Sequence, residues 1–213
     1  MDYKQSATER SFLATLATDI QHALQQAQIS DTDSDRRNAL RAIISAMEGT
    51  AWIYRMHVLS VAQSLGRSTP NLEFAFSETS LFVNEQGELK EQQRVVSTTA
   101  MIRLATNIAK DMCDGLNVDF SDVGWQRLRS AIRLRNRITH PKTVEDLAIS
   151  QQDLDAASAG FDWFLTNVVA VMEATLKELK AFNTEAKDFI EKLNAGDPDT
   201  VALYERLHRA PDR

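Results

Sequence analysis

Arg135 and His140 stand five positions apart, with Asn136 directly after the arginine. Arginine keeps its charge at any ordinary pH and presents a planar fork that matches phosphate oxygens. Histidine is the side chain whose ordinary titration lies nearest neutrality, and it is the usual carrier of a proton in catalysis. An amide beside the arginine adds a hydrogen-bonding group that can orient substrate or imidazole. Together these residue types fit RNA cleavage by the substrate's own 2′-hydroxyl, a reaction that needs no metal.

The surrounding residues strengthen the anionic reading. Residues 123–142, VGWQRLRSAIRLRNRITHPK, carry Arg127, Arg129, Arg133, Arg135, Arg137 and Lys142 and no acid. The stretch is +6, whereas the whole chain is −6, which leaves −12 on the remainder. A basic stripe on an acidic body is the footprint of a polyanion site. On a wheel advancing about 100° per residue, Trp125, Leu128, Ala131, Ile132 and Ile138 share an apolar face. Arg129, Arg133 and Arg137 project from the outward face, and with Lys142 they are the candidate backbone-binding residues. Arg135 falls within the apolar face. Two explanations stand side by side: an ion pair with an acid on a neighbouring helix, such as Glu48, or a polar cleft in which Arg135 meets phosphate.

Other chemistries find little support. Asp31-x-Asp33-x-Asp35 resembles the start of a calcium loop, but Arg36 and Ala42 occupy the positions where glycine and glutamate are required. It is expected to be a helix-capping loop. His22, His57 and His208 are isolated on different helices, and Cys113 is the single cysteine. There is no glycine-rich phosphate loop and no G-x-S-x-G elbow. Neither a metal nor a cofactor is expected.

These residues need elements to hold them. Glycine and proline number 7 and 4 in 213 residues, about 5%, where ordinary usage is roughly 12%. That scarcity of turn-formers predicts an all-α chain of long helices. Periodicity places helices over about 7–28, from the mid-30s to Leu65, over 95–114, over 123–139 and from 151 to Phe182 or Asn183. Ser121 or Asp122 caps the basic helix, and Pro141 ends it. Leu154, Ala157, Phe161, Phe164, Val168, Val171 and Thr175 form a seam in steps of three and four. A short loop or hairpin is expected near 80–90, and two short helices over 184–194 and 198–208. The division is an N-terminal helix at 1–30 packed on the bundle, a helical domain at 31–182, and short C-terminal helices with a frayed tail at 183–213. No run of about 18 apolar residues exists, and Met1–Glu9 lacks the apolar core of a signal peptide. The expectation is a cytoplasmic protein with no membrane partner.

Arg135-Asn136-Arg137-Ile138-Thr139-His140 resembles the R-x4-H motif of the HEPN (higher eukaryotes and prokaryotes nucleotide-binding) domain family. Gly124-Trp125-x-x-Leu128 before it, His140-Pro141-Lys142 and Asp146-Leu147 after it, and Asp162-Trp163-Phe164 further on match as well. So do Glu48-Gly49, Trp52 and Asn84-x-x-Gly87. The resemblance covers roughly residues 35–182. It implies an up-down helical bundle, a homodimer and metal-independent endoribonuclease activity of toxin or antiphage-defence type. Arg135, Asn136 and His140 would then be catalytic, RNA the substrate, and an inhibitory antitoxin or defence-system protein a further partner. Other members of the family bind RNA or protein without cutting, which gives a non-catalytic binding module as the alternative. A purely structural role for Arg135 is the third reading.

Overall fold

The computed structural model describes residues 3–77, 79–94 and 96–209. Seven α-helices, one 3₁₀ turn (Glu145–Leu147) and one two-stranded hairpin make up the regular structure of these residues. The architecture is an all-α bundle, as the scarcity of turn-formers predicts.

Helix α1 (Tyr3–Ser30) lies along α2 (Asp33–Ser64). Gly49 permits the close approach: a Cβ there would sit 2.9 Å from Leu16 and 3.0 Å from Phe12. The loop between the helices works as a cap. The Thr32 hydroxyl accepts from the Asp35 amide at 3.2 Å, and Arg36 pairs with Asp31 and Asp33. The three aspartates are thus spent on a helix start and one arginine.

Helix α2 is the centre of the bundle. It packs against α1, α4 (Thr98–Met112), α5 (Val123–Thr139) and α6 (Gln151–Asn194). Leu40, Ile43, Ile44, Met47, Tyr54 and Val58 are all buried. Two polar pairs lie inside this core. Tyr54 Oη and Thr106 Oγ1 are 2.9 Å apart, and His57 Nε2 and Thr175 Oγ1 are also 2.9 Å apart. Both satisfy groups that burial would otherwise strand.

Helices α5 and α6 form the other main contact. Gly160 lets them touch: a Cβ there would lie 2.5 Å from the Leu128 backbone nitrogen. The expected α6 seam is buried, with Phe161 half-buried. A reciprocal capping box starts the helix, with Ser150 accepting from the Asp153 amide at 3.1 Å and Asp153 from the Ser150 amide at 3.0 Å.

Two features differ from expectation by more than a few residues. Helix α6 does not stop near Phe182 but continues to Asn194, so 184–194 is not a separate helix. Nothing between 183 and 194 breaks a helix, whereas Gly196, at φ 75°, and Pro198 do. Helix α7 is Pro198–Arg209. The expected frayed tail at 210–213 lies outside the described residues. A short helix, α3 (Pro70–Phe76), precedes the hairpin. Thr69-Pro70 is a helix start, with the Thr69 hydroxyl accepting from the Leu72 amide at 3.2 Å. The region near 80–90 is a hairpin, β1 (Thr79–Val83) antiparallel to β2 (Leu89–Gln93). Asn84 Oδ1 holds its turn by accepting from the Gln86 and Glu88 amides. No helix of the described residues is long and apolar enough to cross a membrane.

Candidate functional site

The basic helix α5 is fixed at both ends. Asp122 Oδ1 accepts from the Gly124 amide at 2.6 Å, and Gly124 leaves room for the Trp163 side chain. Trp125 packs edge-on against Phe120 at 4.8 Å, and the Arg103 guanidinium lies 4.7 Å and 5.1 Å over these two rings. At the other end the His140 amide donates to the Asn136 carbonyl at 3.1 Å. His140 is the C-cap, with φ −125° and ψ 57°, and Pro141 prevents another turn.

Arg135 meets α2. Its Nη2 donates to Glu48 Oε1, and its Nη1 donates to Asn136 Oδ1 at 3.0 Å. The ion-pair partner named from sequence is therefore the one in place. The depth differs from the wheel's: the Arg135 side chain is 31% exposed and that of Glu48 42%. A long side chain can start on an apolar face and carry its charge to the edge of the contact. The guanidinium thus stands at a solvent-accessible seam between α5 and α2, where it can exchange a carboxylate for a phosphate.

His140 is exposed, and among the described residues nothing hydrogen-bonds its imidazole. The turn after it is ordered by Asp146, whose Oδ2 accepts from the Lys142 amide at 2.8 Å and the Thr143 amide at 3.0 Å. These two amides hold its carboxyl below the usual aspartate range, helped by the charges of Arg137 and Lys142. Arg137 Nη2 donates to the Ala148 carbonyl at 2.7 Å, and Arg37 Nη1 on α2 donates to the Leu147 carbonyl at 2.9 Å. Sequence reasoning missed the positioning roles of Asp146 and Arg37. The four-residue spacing from Lys142 to Asp146 is a local signal that could have shown the first. The second depends on a contact 110 residues apart.

The remaining cations are divided. Arg133 and Arg137 join Arg127 around a cleft of about 240 Å³ between α5 and α6, with Ser130 and Asp153 also on its wall. Arg133 Nη2 donates to Ser130 Oγ at 2.7 Å. Arg129 is exposed but does not line this cleft, and Lys142 lies in the turn beyond the helix. Arg127 belongs to the cleft although the wheel reading did not single it out. The seam holding Arg135, Asn136 and Glu48 is thus separate from the three-arginine cleft, with His140 at the helix end. No protein-family model, curated protein or solved structure matches the chain.

Proposed function

We propose that this chain is a HEPN-type, metal-independent endoribonuclease acting as a two-fold dimer. The observation that carries the reading is the end of α5. His140, the C-cap residue of the helix, is exposed to solvent, and one turn earlier a guanidinium stands at an open seam, oriented by Asn136. Arg135 holds the scissile phosphate and stabilises the charge that develops on it. His140 of one protomer takes the proton from the 2′-hydroxyl as the O2′–P bond forms. His140 of the other protomer gives a proton to the 5′ oxygen as the P–O5′ bond breaks. The products are a 2′,3′-cyclic phosphate and a 5′-hydroxyl, and the two imidazoles have exchanged protonation states. One chain offers one suitable histidine, so the base and the acid come from two copies. Arg129, Arg133, Arg137 and Lys142 supply the field that holds the RNA backbone. A toxin or antiphage effector of this kind acts on cytoplasmic RNA and is restrained by an inhibitory partner.

A second reading has its own observation: the Arg135–Glu48 pair is already made in the single chain. On that reading α5 binds RNA or protein without cutting. Single-stranded RNA incubated with the protein in EDTA, at low and high salt, separates the two. Cleavage supports the nuclease. A salt-sensitive shift in mobility with intact RNA supports the binding module, and neither effect supports a structural role alone.

A further inference from the structure

Glu48 faces two ways. One oxygen accepts from Arg135, and the side chain also forms part of the wall of a second cavity, between α2 and the start of α4. This cavity has a volume of about 180 Å³ and is bounded by Ala51, Trp52, Arg55, Val96, Thr98 and Met101 as well as Glu48. Trp52 lies one helical turn after Glu48, on the same side of α2. Its side chain is large and apolar, yet it is 45% exposed. The other two tryptophans are covered: Trp125 is buried, and Trp163 is half-buried against Trp125 and Phe120. An exposed indole beside a carboxylate and a hydroxyl, at the edge of the Arg135 seam, is poorly explained by packing.

We propose that this cavity binds one unpaired nucleobase of the RNA, the base next to the phosphate held by Arg135. The proposal rests on the nuclease reading for its geometry and adds the base-recognition site. Size supports a base: cavities for drug-sized ligands are roughly 300–1,000 Å³, so this smaller one suits a single ring system. Chemistry supports it too. Unpaired bases are recognised by stacking on aromatic side chains and by hydrogen bonds to their edges. Trp52 supplies the stacking face, and Met101 and Ala51 supply apolar contact. An ionised carboxylate only accepts hydrogen bonds, so Glu48 favours a base edge with an exocyclic amine. Thr98 can donate or accept. The site therefore prefers bases with an exocyclic amine (adenine, cytosine and guanine) over uracil. Because Glu48 also touches Arg135, a seated base and a bound phosphate are read by adjoining groups.

Binding is measured with the His140→Ala protein, which cannot consume the probe, using oligoadenylate, oligocytidylate and oligouridylate of equal length. Tryptophan fluorescence should be quenched on binding, more strongly by the first two probes than by the third. Trp52→Leu should abolish the quench and weaken oligoadenylate binding roughly 5- to 150-fold, the range expected for one lost base stack. Trp52→Phe should recover part of the affinity, and far-ultraviolet circular dichroism should be unchanged in both variants. Glu48→Gln should narrow the gap between oligoadenylate and oligouridylate, because an amide also donates.

Cleavage by the wild-type protein is followed in parallel, so the two claims fail separately. If RNA is cleaved but Trp52→Leu binds every probe as tightly as its parent, the base site is wrong and the nuclease stands. If RNA is not cleaved but the Trp52-dependent quench appears, the base site stands and the nuclease reading falls. If neither appears, both fall.

Discussion

Arg135 carries most of the weight of the proposed function, and its surroundings set the size of the expected effects. Its ion pair with Glu48 is open to solvent on both sides. A pair of that kind contributes about 0–1 kcal/mol, far less than a fully buried one. Arg135→Ala should therefore change unfolding free energy by no more than about 1 kcal/mol, measured by urea denaturation, while lowering cleavage at least about 100-fold. A stability loss of about 3–5 kcal/mol would mark the arginine as an internal strut instead. Asp146 gives a pH test of the turn after His140. Its carboxyl titrates below the usual value near 3.8 because two amides favour the charged form. The stabilisation it gives is present above that value and fades as the pH falls through the lower folded one. The amide resonances of Lys142 and Thr143, followed by NMR in the His140→Ala protein so that the neighbouring imidazole does not contribute, should hold steady at neutral pH and move only below the ordinary aspartate range. Shifts centred near neutrality would assign the turn to another group. At this scale sequence was informative where spacing is local or charges must pair. Glu48 could be named as a partner because an arginine on an apolar face needs an acid. The direction of the His140 ring could not be, since Pro141 ends the regular geometry that a wheel assumes.

The side chains of the candidate site are placed by two helix contacts, α5 with α6 and α5 with α2. Gly160 is the tightest point of the first. A methyl group there meets the Leu128 backbone, which cannot rotate aside as a side chain would. Gly160→Ala should destabilise the fold by about 1–3 kcal/mol and lower cleavage with it, as read from thermal melts and an RNA assay on one preparation. Unchanged melting would mean that α5 and α6 are less closely packed. The second test lies on α2 and α6, where His57 bonds Thr175 in the core. Burial lowers the His57 pKa from its usual 6.5, so the folded state holds the neutral ring. The unfolded chain takes up the proton more readily. Stability should be level above that pH and decline as the pH falls below it, towards the lower folded value. His57→Gln should flatten this decline in melting temperature between neutral and mildly acid pH. Helix existence was legible because each long helix repeats apolar residues at helical spacing. The end of α6 was not, because its apolar seam fades after Thr175 although its backbone does not break until Gly196. Helix α3 was hidden because two turns are too short to show a helical period, leaving Thr69-Pro70 as the one local sign of its start.

Over the whole molecule, charge and assembly decide what the site can do. A net −6 chain that concentrates +6 in residues 123–142 should bind polyanions through that region and repel them elsewhere. Arg127, Arg133 and Arg137 share one cleft, so replacing any one with alanine should weaken RNA binding across sequences and reduce the salt slope by about 0.7. An unchanged slope would place the RNA elsewhere. The proposed composite site further requires a dimer, and it predicts a bell-shaped rate–pH profile because one histidine must be neutral while the other is charged. Size-exclusion chromatography with light scattering should give twice the chain mass, and specific activity should fall on dilution below the dimer's dissociation constant. A fully active monomer would contradict the two-histidine mechanism. Assembly was the least legible property, since a single chain shows which groups are available and not what they meet. The most direct measurement of the central claim is cleavage of a defined single-stranded RNA in excess EDTA by the wild-type protein and by His140→Ala, with the product ends determined. The account predicts 2′,3′-cyclic phosphate and 5′-hydroxyl ends from the wild type and a loss of at least about 100-fold in the variant. A variant that cuts as fast as its parent, or cutting that appears only when a divalent metal is restored, would contradict it.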